Sequence, residues 1–181
     1  MLALGAAGLS LSPAGRAHGL GLITPPIAVA PDIVVVRSDG LRVPLATLLQ
    51  GQITALQLIF TGCSQTCPLQ GAVFAELQPH LAAPAWGAVQ LLSVSIDPLD
   101  DPKALSAWRR RFGASNRWQA MTPTNNGIES LRKSIERATR SPQSHSTQVF
   151  FLDRRGRLVW QSEEFAPVGV LVKIIDQLLV S

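Results

Sequence analysis

Cysteine is scarce in this chain: two in 181 residues, both within "FTGCSQTCPLQ" (60–70), so within the chain neither can form a disulfide with anything but the other. A structural zinc site wants four ligands, and two cysteines with three histidines fit that demand poorly. Charge is scarce as well, at 15% against 46% hydrophobic residues, which excludes a disordered chain and implies a packed interior. The formal net charge is +4 and the pI about 9.8, a balance that suits acidic surfaces or anionic lipid headgroups. Nucleic acid is not an expected partner. No basic stripe interleaved with aromatics occurs, and Arg109-Arg110-Arg111 reads as a solvated helix face. Internal repeats and low-complexity tracts are missing too, and no hydrophobic run is long enough to span a bilayer.

What is there begins with a small, apolar segment over residues 1–20 that holds no acidic residue. Leu2 to Leu11 reads as a hydrophobic export segment, and Ser12 to Ala17 offers a cleavage site ending at alanine, although a positive start is lacking. A few more residues upstream would turn the same stretch into a membrane anchor. Residues 1–30 are therefore expected to form an export-like, anchor-like or flexible segment, ending in the Pro-rich linker "ITPPIAVAPD". One domain is expected over 31–181.

Along that domain, "IVVVRSDGLRVPL" predicts a hairpin about Asp39-Gly40. "ALQLIFT" (55–61) and "AVQLLSVSID" (88–97) read as buried strands. Between them, Val73, Phe74, Leu77 and Leu81 recur at helical spacing, and Pro79 bends the helix end. Asp101-Pro102 opens a helix carrying Ala104, Leu105, Trp108 and Phe112 on one face. Ile128, Leu131 and Ile135 mark another. "TQVFFLD" (147–153) and "RLVWQ" flank a turn at Arg154-Arg155-Gly156, and Pro167 starts a last amphipathic helix. Strands alternating with helices predict an α/β fold, a mixed central sheet with helices on both faces and an N-terminal β-hairpin. Cys63 and Cys67 then fall at a strand's C-terminal end, where open α/β sheets place chemistry.

Thiols four residues apart on a helical turn face the same way. A helix N-terminus favours thiolate, so the pair can bind a soft metal, cycle between dithiol and disulfide, or both. As a mere staple it would do little, because a disulfide closing so short a loop removes little unfolded-chain entropy. The spacing departs from the two-residue gap of the common redox pair, with Ser64, Gln65 and Thr66 between the cysteines. Two thiolates and one imidazole suit copper, since soft sulfur selects Cu(I) and imidazole accepts Cu(I) or Cu(II). Of the histidines, His18 lies in the N-terminal segment and His80 is carried about three turns along the helix, away from the thiols. His145, in the polar loop "RSPQSHSTQVFF", is the candidate third ligand.

"FTGCSQTCP", "SVSIDPLDDP" and "HSTQVFFLDRRG" together resemble the Sco/SenC family of copper proteins, in the family's order from about residue 31 to the C-terminus. The resemblance implies a thioredoxin-like fold and a copper site of Cys63, Cys67 and His145. It implies export to the periplasmic side of the inner membrane, with membrane proximity. Its usual role is to deliver copper to, or maintain the thiols of, the dinuclear centre in the copper-accepting subunit of cytochrome c oxidase; other copper or thiol-redox proteins are further possible partners. Such a protein is an assembly factor rather than a conventional enzyme. One departure stands out: the acidic residue usual just before the ligand histidine is Ser144 here. Asp97, Asp100 and Asp101 read as turn and helix-cap residues.

Two other readings of the thiols stay open. In a thiol–disulfide oxidoreductase, Cys63 attacks a partner's disulfide and Cys67 resolves the mixed disulfide. A peroxiredoxin-like peroxidase is disfavoured because the chain lacks the proline expected ahead of Thr61.

Overall fold

The structure, a computed structural model, describes residues 22–28, 33–124, 126–139 and 147–181. Its centre is two parallel strands made by the two apolar runs, β4 (Ile53–Ile59) and β5 (Val89–Ser95), in which every residue is buried. Strands covered on both faces read as mainly apolar runs without strict alternation, which is how these two showed themselves, with Thr54, Gln57, Gln90, Ser93 and Ser95 as their buried polar residues. β6 (Trp118–Pro123) adds in parallel to β5. β2 (Val34–Arg37) and β3 (Arg42–Pro44) form the expected hairpin about Gly40, and β2 joins it to β6 antiparallel. On the other side β7 (Phe150–Leu152) pairs antiparallel with β4, then β8 (Arg157–Gln161) with β7, and β1 (Leu22–Ala28) with β8. Among the described residues the sheet order is β1-β8-β7-β4-β5-β6-β2-β3. The expected mixed sheet is present.

Helices cover both faces. The alternating pleat sends Leu56 and Leu58 to one side, where α1 (Leu45–Leu49) and α4 (Gly127–Thr139) contribute Leu45, Leu49, Leu131 and Ile135. Ile53 and Ala55 point to the other, against α2 (Thr66–Leu77) and α5 (Val168–Leu179), with Phe74, Leu77, Leu171 and Ile175. α3 (Pro102–Arg111) closes a smaller cluster of Ile59, Cys63, Cys67, Leu105, Trp108 and Ala120. The thiols thus sit in the only cluster that α3 and the end of β4 share among those three.

Four elements differ from the sequence expectation. Leu22–Ala28, read as a linker for its prolines, is an outermost strand whose register shifts between Leu22 and Ile27. Proline lacks the N–H a central strand must donate but is tolerated at an edge or bulge. Leu45, read as the hairpin's end, instead starts a short helix, Leu45–Leu49. β6 carries too few β-branched residues to announce itself, and is a strand because β5 and β2 flank it. The helix after the cysteines is α-helical to Leu77 only. Pro79 lies in a 3₁₀ segment, Gln78–Ala82, which also takes Leu81.

Candidate thiol and metal centre

β4 ends at Ile59, and a turn closed by Cys63 N–H donating to Phe60 O (3.1 Å) carries the chain into α2. Gln65 is the N-cap and supplies no side-chain cap, so the first-turn amides of α2 are left seeking acceptors. One of them, Cys67 N–H, donates to Cys63 Sγ at 3.5 Å, and the Thr66 hydroxyl lies 3.7 Å from the same sulfur. Cys63 is therefore not on the helical turn that its spacing predicts. It stands ahead of the helix and takes a capping position. Pro68, immediately after Cys67, falls in the first turn, where a missing N–H costs nothing.

Both cysteines are free and buried, 8% and 3% exposed. Their acidities diverge. For Cys63, burial works against ionisation, but the amides of Cys67 and Gln65 and then the Cys67 thiol and Thr66 hydroxyl outweigh it, and the pKa falls to about 7. For Cys67, burial dominates and pushes the thiol up to about 11, against a Phe60 backbone hydrogen bond and with Cys63 adding to the rise. Near neutrality Cys63 is therefore in the middle of its titration, while Cys67 stays a thiol. The carbon walls of Ile59, Leu105 and Trp108 surround soft sulfur donors, an environment that fits a soft cation and not a hard one.

The neighbouring turn supplies three aspartates with three different tasks. Asp101 caps α3, accepting Ala104 N–H at 2.7 Å, as expected. Asp97 accepts Leu99 N–H at 2.8 Å within its own turn. Asp100 does neither: it crosses to the thiol turn and accepts both the amide (2.8 Å) and the hydroxyl (2.5 Å) of Thr61. Adjacency to a helix start hid that role, since Asp100 and Asp101 look alike in sequence.

His145 and His18 lie outside the described residues. His80 is exposed and stacks on Trp86 at 5.5 Å; it lies in the 3₁₀ segment past the end of α2 rather than on the helix itself, where the sequence put it. Among the described residues no three His, Cys, Asp or Glu side chains gather in a group that could hold a metal ion. Thr147, where description resumes after His145, lines a small cleft with Gln70 and Val73 of α2, the helix that carries Cys67. No described helix is long and apolar enough to cross a membrane.

The SCO1/SenC family description matches residues 29–179 of the chain. A SCO1 protein homolog of Bacillus subtilis (strain 168) is 28% identical over 130 residues, 67% of this chain and 66% of that protein, so the chain spans just under two thirds of that relative. A SCO1/SenC family lipoprotein of Bacillus anthracis superposes with a TM-score of 0.69 at 22% identity, over 86% of this chain and 98% of that one. Yeast Sco1 with copper bound gives 0.68 at 19% identity, over 90% and 93%.

Proposed function

Because the chain belongs to the SCO1/SenC family, we propose that it is a copper-binding assembly factor whose Cys63 and Cys67 thiolates, with His145 as third donor, hold copper and pass it to the copper-accepting subunit of cytochrome c oxidase by ligand exchange. The observation that carries this reading is the buried, reduced pair at the start of α2, where the Cys67 amide donates to the Cys63 sulfur and the Cys63 pKa is lowered to about 7. Three further facts support it. Yeast Sco1 and an Arabidopsis thaliana relative have been solved with copper bound. Another structural relative is described as a Sco-family protein of cytochrome c oxidase assembly. Thr147, two residues after His145 in sequence, lines a cleft with Gln70 and Val73 of α2, the helix of Cys67. The apolar first twenty residues and the lipoprotein relative support export, with the protein working on the periplasmic side close to the membrane.

Copper titration of the reduced protein tests this. Stoichiometric uptake is expected, lost in Cys63→Ala/Cys67→Ala and weakened in His145→Ala. Binding that survives intact in the double cysteine variant sinks the site.

The split in acidity supports a second reading, thiol–disulfide exchange on a partner's cysteines. The Cys63 thiolate attacks the partner disulfide and one partner thiolate leaves. Cys67, losing its proton, then displaces the second, so that two electrons pass to the partner and the Cys63–Cys67 disulfide forms. Full function in His145→Ala with normal redox cycling selects this reading over metal delivery.

A further inference from the structure

We propose that Asp100 is the positioning residue of the thiol turn, a carboxylate that holds Thr61 against the end of β5 and so sets where Cys63 presents its sulfur. The proposal rests on the reading that Cys63 and Cys67 do the chemistry.

Backbone pairing between β4 and β5 runs in register to Ile59 opposite Ser95, with a last bond from Ile96 N–H to Ile59 O (2.8 Å). Past that point the ladder offers Thr61, two residues ahead of Cys63, no partner strand. Asp100 takes over. Oδ2 accepts Thr61 N–H at 2.8 Å and the Ser95 hydroxyl at 2.6 Å, while Oδ1 accepts the Thr61 hydroxyl at 2.5 Å. Ser95 Oγ in turn accepts Asp97 N–H at 3.1 Å, so the network runs from the thiol turn through Asp100 to the β5–α3 turn. Both carboxylate oxygens are engaged, and the residue is only 9% exposed.

The helix does not need it. Asp101 already caps α3, and Asp100 turns its side chain away from that helix toward a residue 39 positions earlier. A carboxylate with three donors is a stiff clamp, because charge-assisted hydrogen bonds are short and directional. Groups that orient a ligand without touching the metal govern affinity strongly, and losing one typically weakens binding about 10- to 100-fold.

The test compares Asp100→Ala, Asp100→Asn and Thr61→Val in the full chain. Cu(I) affinity is read by competition with a chelator, and amide hydrogen exchange is read at Thr61 and at Leu91 and Leu92 of β5. In Asp100→Ala, Cu(I) affinity should fall about 10- to 100-fold. Exchange at Thr61 should quicken about tenfold or more while Leu91 and Leu92 keep their protection. Asp100→Asn should stay within about threefold of native affinity, because its carbonyl still accepts Thr61 N–H and the Ser95 hydroxyl while the Thr61 hydroxyl turns to accept from its amide. Thr61→Val, which keeps one of the two Thr61 bonds, should fall between.

Native Cu(I) affinity and native Thr61 exchange in Asp100→Ala overturn the proposal. So does equal weakening in Asp100→Ala and Asp100→Asn with protection lost throughout β5, which marks a general stability effect. If the native protein takes up no copper, the proposed function falls and Thr61 exchange still decides whether Asp100 holds the turn.

Discussion

The backbone amide of Cys67 donates to the sulfur of Cys63 across 3.5 Å, so the N-terminus of α2 serves one thiol of the pair and not the other. A helix N-terminus carries partial positive charge and unpaired N–H groups, both of which favour the thiolate. Cys67, inside the first turn and deeper, receives burial without that compensation.

Thiol reactivity should therefore show two separate midpoints. Alkylation by iodoacetamide, resolved by mass spectrometry, should rise for Cys63 about a midpoint near 7 and for Cys67 near 11. The ordinary value is 9.0 for both, so the consequences for stability have opposite signs. The share from Cys63 is present above 9.0 and lost as pH falls through about 7. The share from Cys67 is present below 9.0 and lost as pH rises through about 11. A common midpoint for the two thiols would contradict the asymmetry.

Gly71, one turn beyond Cys67, faces Phe112, the residue that ends α3. A Cβ added there would overlap the ring of Phe112. Gly71→Ala should destabilise by about 1–3 kcal/mol in urea melts despite the better helix propensity of alanine. Phe112→Leu in the same chain should recover part of that loss. A stabilised Gly71→Ala would mean that the Phe112 ring is free to move aside.

Arg117 holds the approach to β5 by donating to the carbonyls of Leu81, Trp86 and Val89. Removing the guanidinium leaves several partly buried acceptors without a donor. Arg117→Ala should cost about 3 kcal/mol at an unchanged denaturant slope. Arg117→Lys should recover less than half, since an ammonium cannot copy the fork. Near-native stability in Arg117→Ala would show that water replaces the donor freely.

Asp101→Ala removes the α3 cap, the bond to Ala104 N–H. A loss of about 1 kcal/mol is expected from calorimetry or urea melts. Hydrogen exchange at Thr61 should stay native, because the cap and the thiol turn depend on different carboxylates. Faster exchange at Thr61 would show the two aspartates to be one unit.

Much of the architecture was legible from residue order alone. The mostly apolar runs around Leu56 and Leu92 announced strands covered on both faces, and Asp39-Gly40 announced a hairpin, since Gly40 takes a positive φ of 83°. The helix after the cysteines, the Asp101 cap and the helix after Pro167 were equally readable, because each depends on neighbours within a few positions. β1 and β6 were not. Each exists as a strand through its partners, β8 for one and β5 and β2 for the other, and no local signal encodes such a partner.

At the site the same division holds. Two thiols, their spacing and their place at a strand-to-helix junction are properties of the sequence by itself, set by short-range geometry. Tertiary structure alone decided that Cys63 stands ahead of α2 rather than on it, that the two acidities part, and that Asp100 rather than Asp101 reaches Thr61. Each of these depends on burial or on a contact between segments far apart in the chain, and those quantities exist only once the sheet has brought β4 and β5 together.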